Sequence, residues 1–352
     1  MALLAALWPA PGQPDSLRIA TYEAELSRRG PGLLYGAILK GDAQVQAVRR
    51  VIAEVEPDIL LLTGFDYDAD LVALRAFSDG LGQGAYPYLF ALRPNTGLQT
   101  GLDMDGDGTL GGPGDAQGWG RFSGAGGMAI LSRYPIQVAG ARDFSAWLWR
   151  DLPGAKLPEG APEGLAVQRL STTGHWDVPV EVPGGVVHLL AFAATTPVFD
   201  GPEDRNGLRN QAEIGFWRDY LDKRLPMEPP EGRFVILGNA NLDPADGSGR
   251  RKAIAALLGD HRLQDPLPAS AGGRVAATVG QRGDPARDTA DWPEPAAAEP
   301  GPGNLRVDYV LPSADLAVMA AGVFWPEPGA PLAAVALAAS RHRLVWVDIR
   351  LP

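Results

Sequence analysis

Short apolar runs alternate with amphipathic helical segments along most of the 352 residues, and this order restricts the fold more than any other feature. The run DILLL at 58–62 is apolar after its first residue, which is typical of a strand buried on both faces. No internal repeat and no clear linker interrupts the alternation. We therefore predict a leader at residues 1–16 and a single layered α/β domain at residues 17–352.

The individual elements follow from periodicity and from helix-capping residues. Asp42 stands before a segment whose apolar residues share one helical face, and Asp204 stands before another, so both are predicted N-caps. The predicted strands are 17–21, 58–62, 86–92, 127–132, 187–193, 234–237, 305–312 and 343–351. The predicted helices are 42–55, 69–81, 204–224 and 251–259. Long loops are expected at 94–126 and 280–303.

The acidic composition bears on possible partners. The net charge is −11 and the isoelectric point is near 4.9. Proteins that grip a nucleic acid backbone usually present a basic face, so nucleic acid is not an expected partner. Without cysteine, the chain has no disulfide, thiolate metal site or thiol nucleophile. With four histidines, a multi-histidine metal site is not expected either.

The N-terminus leaves the cellular compartment open. It reads MALLAALWPAPGQPDS, which is briefly apolar, then rich in proline, and without the basic residues of an export signal. A short export signal and a loose leader both fit, and export to the periplasm or the cell exterior is the favoured expectation. No stretch of the sequence reaches the roughly 20 apolar residues of a membrane span.

The strand at 234–237 runs into a turn that carries amides where an active site would be expected. Gly238 allows a tight turn, and Asn239 and Asn241 follow it. Ligand and active sites of α/β sheets collect at such strand ends. An amide cannot ionise, however, so it is a poor base and a poor metal ligand compared with a carboxylate.

Six motifs in chain order resemble the endonuclease/exonuclease/phosphatase superfamily, from about residue 17 to residue 351. They are RIATYEAEL, PDILLLTGFDYD, GMAILSRYPI, VILGNANLDP, RVDYVL and SRHRLVWVDI. The stretches NTGLQTGLDMDGDG, HWDVPV and TPVFDGPEDRNG resemble a bacterial branch of largely uncharacterised hydrolases. The resemblance implies a four-layer αββα sandwich of the deoxyribonuclease type, with the site at one edge of the paired sheets.

The same resemblance implies metal-assisted phosphoester hydrolysis, and this chain departs from it at catalytic positions. The family holds Mg²⁺ mainly with a glutamate and an asparagine, and a histidine oriented by an aspartate assists. Positions that match are Asn241, Asp308 and His342. Positions that depart are Glu23 for asparagine, Gly64 for glutamate, Gly126 for tyrosine, Ala193 for histidine, Asn239 for aspartate and Arg341 for aspartate.

All six departures fall on catalytic roles while the surrounding framework is kept, so we predict that the ancestral hydrolysis is lost. Mg²⁺ is not expected at the ancestral site, and a binding or structural role towards a small anion or a protein partner is expected instead. We further predict that Glu23 and Arg341 form an ion pair where the metal stood. His342, with Arg341 beside it in place of the usual aspartate, is expected to lose its orientation.

An alternative hypothesis is that the protein is an active enzyme whose metal site has been relocated. Glu23 and Asp66 could hold a divalent ion, with Asp308 and His342 beside them, in a divergent phosphodiesterase or phosphatase. Divalent-metal affinity and phosphodiester turnover separate the two hypotheses.

A second metal hypothesis concerns the loop GLDMDGDGTLGGPGD. Asp103, Asp105 and Asp107 match the first half of a calcium loop, in which Thr109 would offer its backbone carbonyl. The glutamate expected at the twelfth position is missing, since Gly114 stands there with Asp115 next. We predict a structural calcium site, and the alternative is an acidic surface loop.

Overall fold

The computed structural model describes residues 16–159, 163–292 and 302–350. Most of the predicted leader lies outside these residues, but its last residue, Ser16, already opens the first strand. The strands are β1 (Ser16–Leu26), β2 (Ile59–Phe65), β3 (Tyr88–Phe90), β4 (Gly127–Ser132), β5 (Arg142–Asp143), β6 (Gly174–Val182), β7 (Gly185–Ala193), β8 (Phe234–Asn239), β9 (Ala290–Trp292), β10 (Gly303–Leu305), β11 (Asp308–Pro312), β12 (Val318–Val323) and β13 (Val345–Arg350).

The helices lie between these strands in the sequence. They are α1 (Leu33–Leu39), α2 (Ala43–Val55), α3 (Val72–Asp79), α4 (Arg205–Leu221), α5 (Lys252–Leu258), α6 (Ala271–Val275) and α7 (Ala333–Ala339). Within the described ranges, no helix is long and apolar enough to cross a membrane.

Two mixed sheets form the centre of the molecule. The first has the order β12-β13-β1-β2-β4-β3, and the second has the order β11-β8-β7-β6-β5. The pairs β1–β2 and β7–β8 are parallel, and their neighbours are antiparallel. Strands β9 and β10 form a separate antiparallel ribbon.

The apolar run of β2 shows how the layers are built. Ile59 and Leu61 pack into the core between the two sheets, whereas Leu60 and Leu62 pack under α1, α2 and α3. Side chains of a strand alternate between faces, so a strand covered on both sides needs apolar residues at every position. Each fully buried leucine contributes about 1.5–3 kcal/mol relative to an exposed one.

The second sheet is covered in the same way on its outer face. Aromatic residues of α4 pack against it, with Trp217 contacting Phe192 edge-on at 6.1 Å between ring centroids. Helix α5 closes the same core through Ile254 and Leu257. The order helix, sheet, sheet, helix is the predicted αββα sandwich, so the fold class is confirmed.

Two local predictions were wrong. The strand expected at 305–312 is split, because Arg306 leaves the ladder: its backbone N–H donates to Asp243 at 2.7 Å and its guanidinium pairs with Asp265. Asp204 stands at the N-cap of α4 but makes no capping hydrogen bond, because its carboxylate binds Arg250. Asp42, in contrast, caps α2 through the N–H of Val45, as predicted.

Candidate active site

The ends of several strands bring the candidate residues to one edge of the paired sheets. Asp308 opens β11 directly opposite Asn239 at the end of β8. Asn239 is also in register with Ala193 at the end of β7. On the first sheet, Glu23 lies opposite Thr63, the residue before Gly64.

His342 is held by Asp308, in a pair that is almost completely buried. The Nδ1 atom of His342 lies 2.8 Å from Oδ2 of Asp308. The same carboxylate oxygen accepts the Thr289 hydroxyl at 3.0 Å, and the edge of Trp292 covers the imidazole at 5.2 Å between ring centroids. The expected loss of orientation was wrong, because the orienting carboxylate comes from β11 and not from position 341.

Glu23 occupies the space that a side chain at position 64 would need. A β-carbon built on Gly64 would lie 1.7 Å from Oε1 of Glu23 and 2.8 Å from its Cδ. Gly64 also has a φ of +66°, a backbone conformation that side-chain-bearing residues rarely adopt. The Glu23 carboxylate of β1 therefore fills the space beside position 64 of β2.

Glu23 and His342 perturb one another. Burial raises the pKa of Glu23, and the nearby His342 and the Thr63 hydroxyl oppose that rise. Burial works against a charged imidazole, but Asp308, Glu23 and Glu25 outweigh it and raise the pKa of His342. His342 is thus the basic side chain that opposes the rise in the pKa of Glu23.

Arg341 does not pair with Glu23, so that prediction was wrong. Its Nε donates to Oε1 of Glu25 at 2.8 Å, its backbone N–H donates to Oε2 at 2.7 Å, and a second guanidinium nitrogen also reaches Oε1. The cause lies in β1, where the pairing with β2 shifts register after Glu23 and Glu25 takes a φ of +50°. This irregularity turns Glu25, not Glu23, towards the loop before β13.

The two amides that follow β8 close a turn. The side-chain oxygen of Asn239 accepts the backbone N–H of Asn241 at 2.7 Å, and the side-chain nitrogen of Asn241 donates to the carbonyl of Ala194 at 2.8 Å. Asn241 has a φ of +50°, which asparagine tolerates better than most residues. Asn239 therefore acts as a turn-former at the end of β8.

Asp66, a member of the alternative site, is used elsewhere. One of its oxygens accepts the Ser27 hydroxyl at 2.8 Å and the N–H of Gly126 at 2.9 Å, and the other accepts the N–H of Arg28 at 2.8 Å. The carboxylate joins three loops at this end of the first sheet. Within the part of the chain that the structure describes, Asp66 shares no three-residue metal-ligand group with Glu23.

The acidic loop does gather three carboxylates, although not the expected three. Asp103, Asp105 and Asp115 place one ligand atom each within 4.8 Å of one another, so this group could hold a metal ion. Asp107 is not a member: its carboxylate accepts the backbone N–H of Thr109 at 2.7 Å. The sequence signal for Asp115 was present, since it stands one position after the one at which a calcium loop carries its glutamate.

Asp115 is the buried member of this group. Its oxygens accept the N–H groups of Met104 at 2.8 Å and Gly112 at 3.0 Å, and the Met104 bond is the main cause that lowers its pKa. Asp105 packs directly onto Gly114, where a β-carbon would lie 1.9 Å from its Oδ2. A glutamate at position 114 would therefore displace Asp105, so the group depends on glycine there.

Comparison with known proteins agrees with this architecture. The model of the Endonuclease/Exonuclease/phosphatase family matches residues 33–342, and the chain belongs to that family. A search of curated proteins finds no significant match.

Solved structures of the same family share the fold at low sequence identity. The Beutenbergia cavernae DSM 12333 endonuclease/exonuclease/phosphatase has a TM-score of 0.55 at 18% identity, over 96% of this chain and 72% of that one. The Leptotrichia buccalis C-1013-b family protein has a TM-score of 0.52 at 14% identity, over 95% of this chain and 99% of that one. The Bacteroides vulgatus endonuclease/exonuclease/phosphatase has a TM-score of 0.52 at 12% identity, over 96% of this chain and 99% of that one.

Proposed function

We propose that this protein is a non-catalytic member of its family, in which the edge cleft has lost metal-assisted phosphoester hydrolysis and serves binding instead. The observation that carries the proposal is the Glu23 carboxylate, which fills the space that a side chain at position 64 would need and lies close to His342. With the buried basic side chain of His342 beside it, this carboxylate has less to gain from a metal ion.

The remaining donors fit Mg²⁺ poorly. This ion needs near-octahedral oxygen ligands and is usually bound by one or two carboxylates together with substrate phosphates. Burial raises the pKa of Glu23, which disfavours the charged form that a metal requires. The side-chain oxygen of Asn239 is already an acceptor within its own turn. We therefore derive no step through Mg²⁺ at this cleft.

The cleft also has few side chains that could transfer a proton. Asn239 cannot accept a proton from water, and Ala193 offers no functional group at the end of β7. His342 remains, but its raised pKa favours the protonated form, which cannot act as a base. Catalytic groups act as a unit, so the loss of one or two removes most of the rate.

Phosphodiester turnover tests this proposal directly. Purified protein is incubated with bis(p-nitrophenyl) phosphate and with DNA in the presence of Mg²⁺, Mn²⁺ or Ca²⁺, and we expect no turnover above background. The double variant Glu23→Asn with Gly64→Glu returns the family residues to both strands. Calorimetry should then detect Mg²⁺ binding in this variant and none at the cleft of the wild type.

The second candidate is a divergent hydrolase with a relocated carboxylate, and one observation favours it. The His342–Asp308 pair is geometrically intact and lies beside Glu23. Such an enzyme would use His342 as an acid, because its raised pKa favours the protonated form. Wild-type turnover that disappears in both Glu23→Gln and His342→Asn, but not in the exposed control Glu54→Gln, would establish this function and end the first proposal.

We also propose that the acidic loop binds Ca²⁺ through Asp103, Asp105 and Asp115, in a structural role. Three carboxylates without nitrogen or sulfur donors suit a hard cation. Calorimetry should detect Ca²⁺ binding that is lost in Asp115→Asn and kept in Asp107→Asn, since Asp107 lies outside the group. Equal heats in all three proteins would contradict the assignment.

A further inference from the structure

A cavity of about 800 Å³ lies beside the segment that follows β7, and the cleft chemistry does not use it. Its size is within the range of small-molecule sites. Thr195 and Thr196 line it directly after Ala194, whose carbonyl binds Asn241 of the cleft. The polar and charged lining residues used below are Asp105, Asp200, Glu203, Arg205, Asn206 and Arg209.

Two large aromatic side chains at this cavity are strongly exposed. Trp119 is 63% exposed and Phe199 is 92% exposed, and both line the cavity. Phe199 also has a φ of +70°, which is unusual for an aromatic residue and costs of the order of 1 kcal/mol or more. Aromatic rings that are presented to solvent around a cavity commonly mark a binding site.

The Trp119 ring already has a cationic side chain of this protein near it. The guanidinium of Arg121 lies 5.9 Å from the centre of the Trp119 ring, at the outer limit of a cation–π contact. The contact is loose and solvent-exposed, so a tighter cation from a ligand can compete with it.

The two arginines that line the cavity donate hydrogen bonds to residues of its wall. Arg205 donates to the carbonyl of Met104 at 2.7 Å and to the side-chain oxygen of Gln168 at 2.5 Å. Arg209 is buried, and its donors go to backbone carbonyls, including that of Leu170 at 2.9 Å. These cations fix the loops in place and offer little to a ligand.

The carboxylates, in contrast, retain free accepting capacity. Across residues 16–159, 163–292 and 302–350, one oxygen of Asp105, one of Asp200 and one of Glu203 accept backbone N–H groups, and the second oxygen of each has no donor. The side-chain nitrogen of Asn206 donates to the carbonyl of Val198, and the side-chain oxygen of Asn206 can still accept a hydrogen bond. The carboxylates and the Asn206 oxygen can therefore accept further hydrogen bonds, whereas the two arginines already donate within the wall, so a complementary ligand brings a cationic donor.

We propose that this cavity binds a small organic cation with an alkylammonium group, held between the rings of Trp119 and Phe199 and the carboxylates of Asp200 and Glu203. Ammonium groups combine the positive charge that carboxylates attract with the cationic surface that aromatic faces prefer. The inference does not depend on whether the cleft hydrolyses phosphoesters, since none of these residues belongs to it.

Calorimetry with two simple cations tests the proposal on the full-length protein. Spermidine and tetramethylammonium, in calcium-free buffer, represent primary and quaternary ammonium groups, and inorganic phosphate represents the opposite charge. We expect at least one of the two cations to bind and phosphate not to. Trp119→Ala and Glu203→Gln should each weaken that binding about tenfold, in the range of one cation–π or charge-assisted contact.

Matched controls separate a site from general attraction to an acidic protein. Tyr88→Ala removes an exposed aromatic ring, and Glu54→Gln removes an exposed carboxylate, each away from the cavity. Neither should change the affinity. The proposal is overturned if neither cation binds, if phosphate binds more tightly than both, or if the controls weaken binding as much as the cavity variants do.

Discussion

The buried pair of Asp308 and His342 allows a quantitative test of the electrostatics of the cleft. The two side chains are 2.8 Å apart, and their residues are 0% and 4% exposed. Asp308→Asn keeps the shape and removes the charge, so the imidazolium loses its nearest partner. Loss of one member of a buried ion pair costs about 3–5 kcal/mol, and we expect about 3 kcal/mol because Glu23 still faces His342.

The cost should depend on pH in a defined direction. The pKa of His342 is raised above its ordinary value of 6.5 in the folded protein. Its stabilising contribution is therefore complete below the unfolded pKa and is lost as the pH rises through the folded pKa. The difference in unfolding free energy between wild type and Asp308→Asn should be larger at about pH 6 than at about pH 9.

Urea unfolding followed by tryptophan fluorescence measures both quantities. A double-mutant cycle with His342→Asn isolates the coupling between the two side chains. With four histidines in the chain, proton NMR can follow the His342 titration, which should move to lower pH in Asp308→Asn. A cost below about 1 kcal/mol, the level of an exposed ion pair, or an unchanged titration would refute the reasoning.

Three further substitutions give separate tests. Gly64→Ala should destabilise the protein by about 1–3 kcal/mol, from its positive φ and the contact with Glu23, and Glu23→Ala in the same chain should recover part of that loss in urea unfolding. Arg341→Ala should change stability by only about 0–1 kcal/mol, because the Arg341 side chain is 59% exposed in its pair with Glu25; a larger loss in the urea midpoint would contradict this. Asp288→Asn should stabilise the protein increasingly from about pH 4 up to about pH 7, because burial raises the pKa of Asp288 to about 7 and folding opposes its ionisation over that range; the gain in urea unfolding should be larger at pH 8 than at pH 5.

Long apolar strands could be predicted from the sequence because burial on both faces leaves a direct pattern. The run at 58–62 and the strand at 127–132 are examples, and β4 matches its predicted bounds. Helix α7, with the sequence AAVALAA, has no polar face to reveal its period. The break between β10 and β11 at Arg306 could not be predicted from the sequence either, since it depends on Asp243 and Asp265, which are distant in the sequence.

The positions of the candidate residues could be predicted better than their contacts. The strands delivered Glu23, Asn239, Asp308 and His342 to one edge, as the motifs indicated. The partner of Arg341 was not predictable, because a shift of register within β1 decides which of its glutamates faces the loop before β13. Such irregularities depend on tertiary packing and have no local signature.

The placement of Glu23 over Gly64 also restricts the order in which sequence changes can occur. A β-carbon at position 64 would lie 1.7 Å from the Glu23 carboxylate, so introducing glutamate there first would produce a strained intermediate. Shortening Glu23 first opens the space and makes the second change tolerable. Glu23 therefore decides whether position 64 can change, and the double substitution is reached far more easily through a shortened Glu23 than through glutamate at position 64.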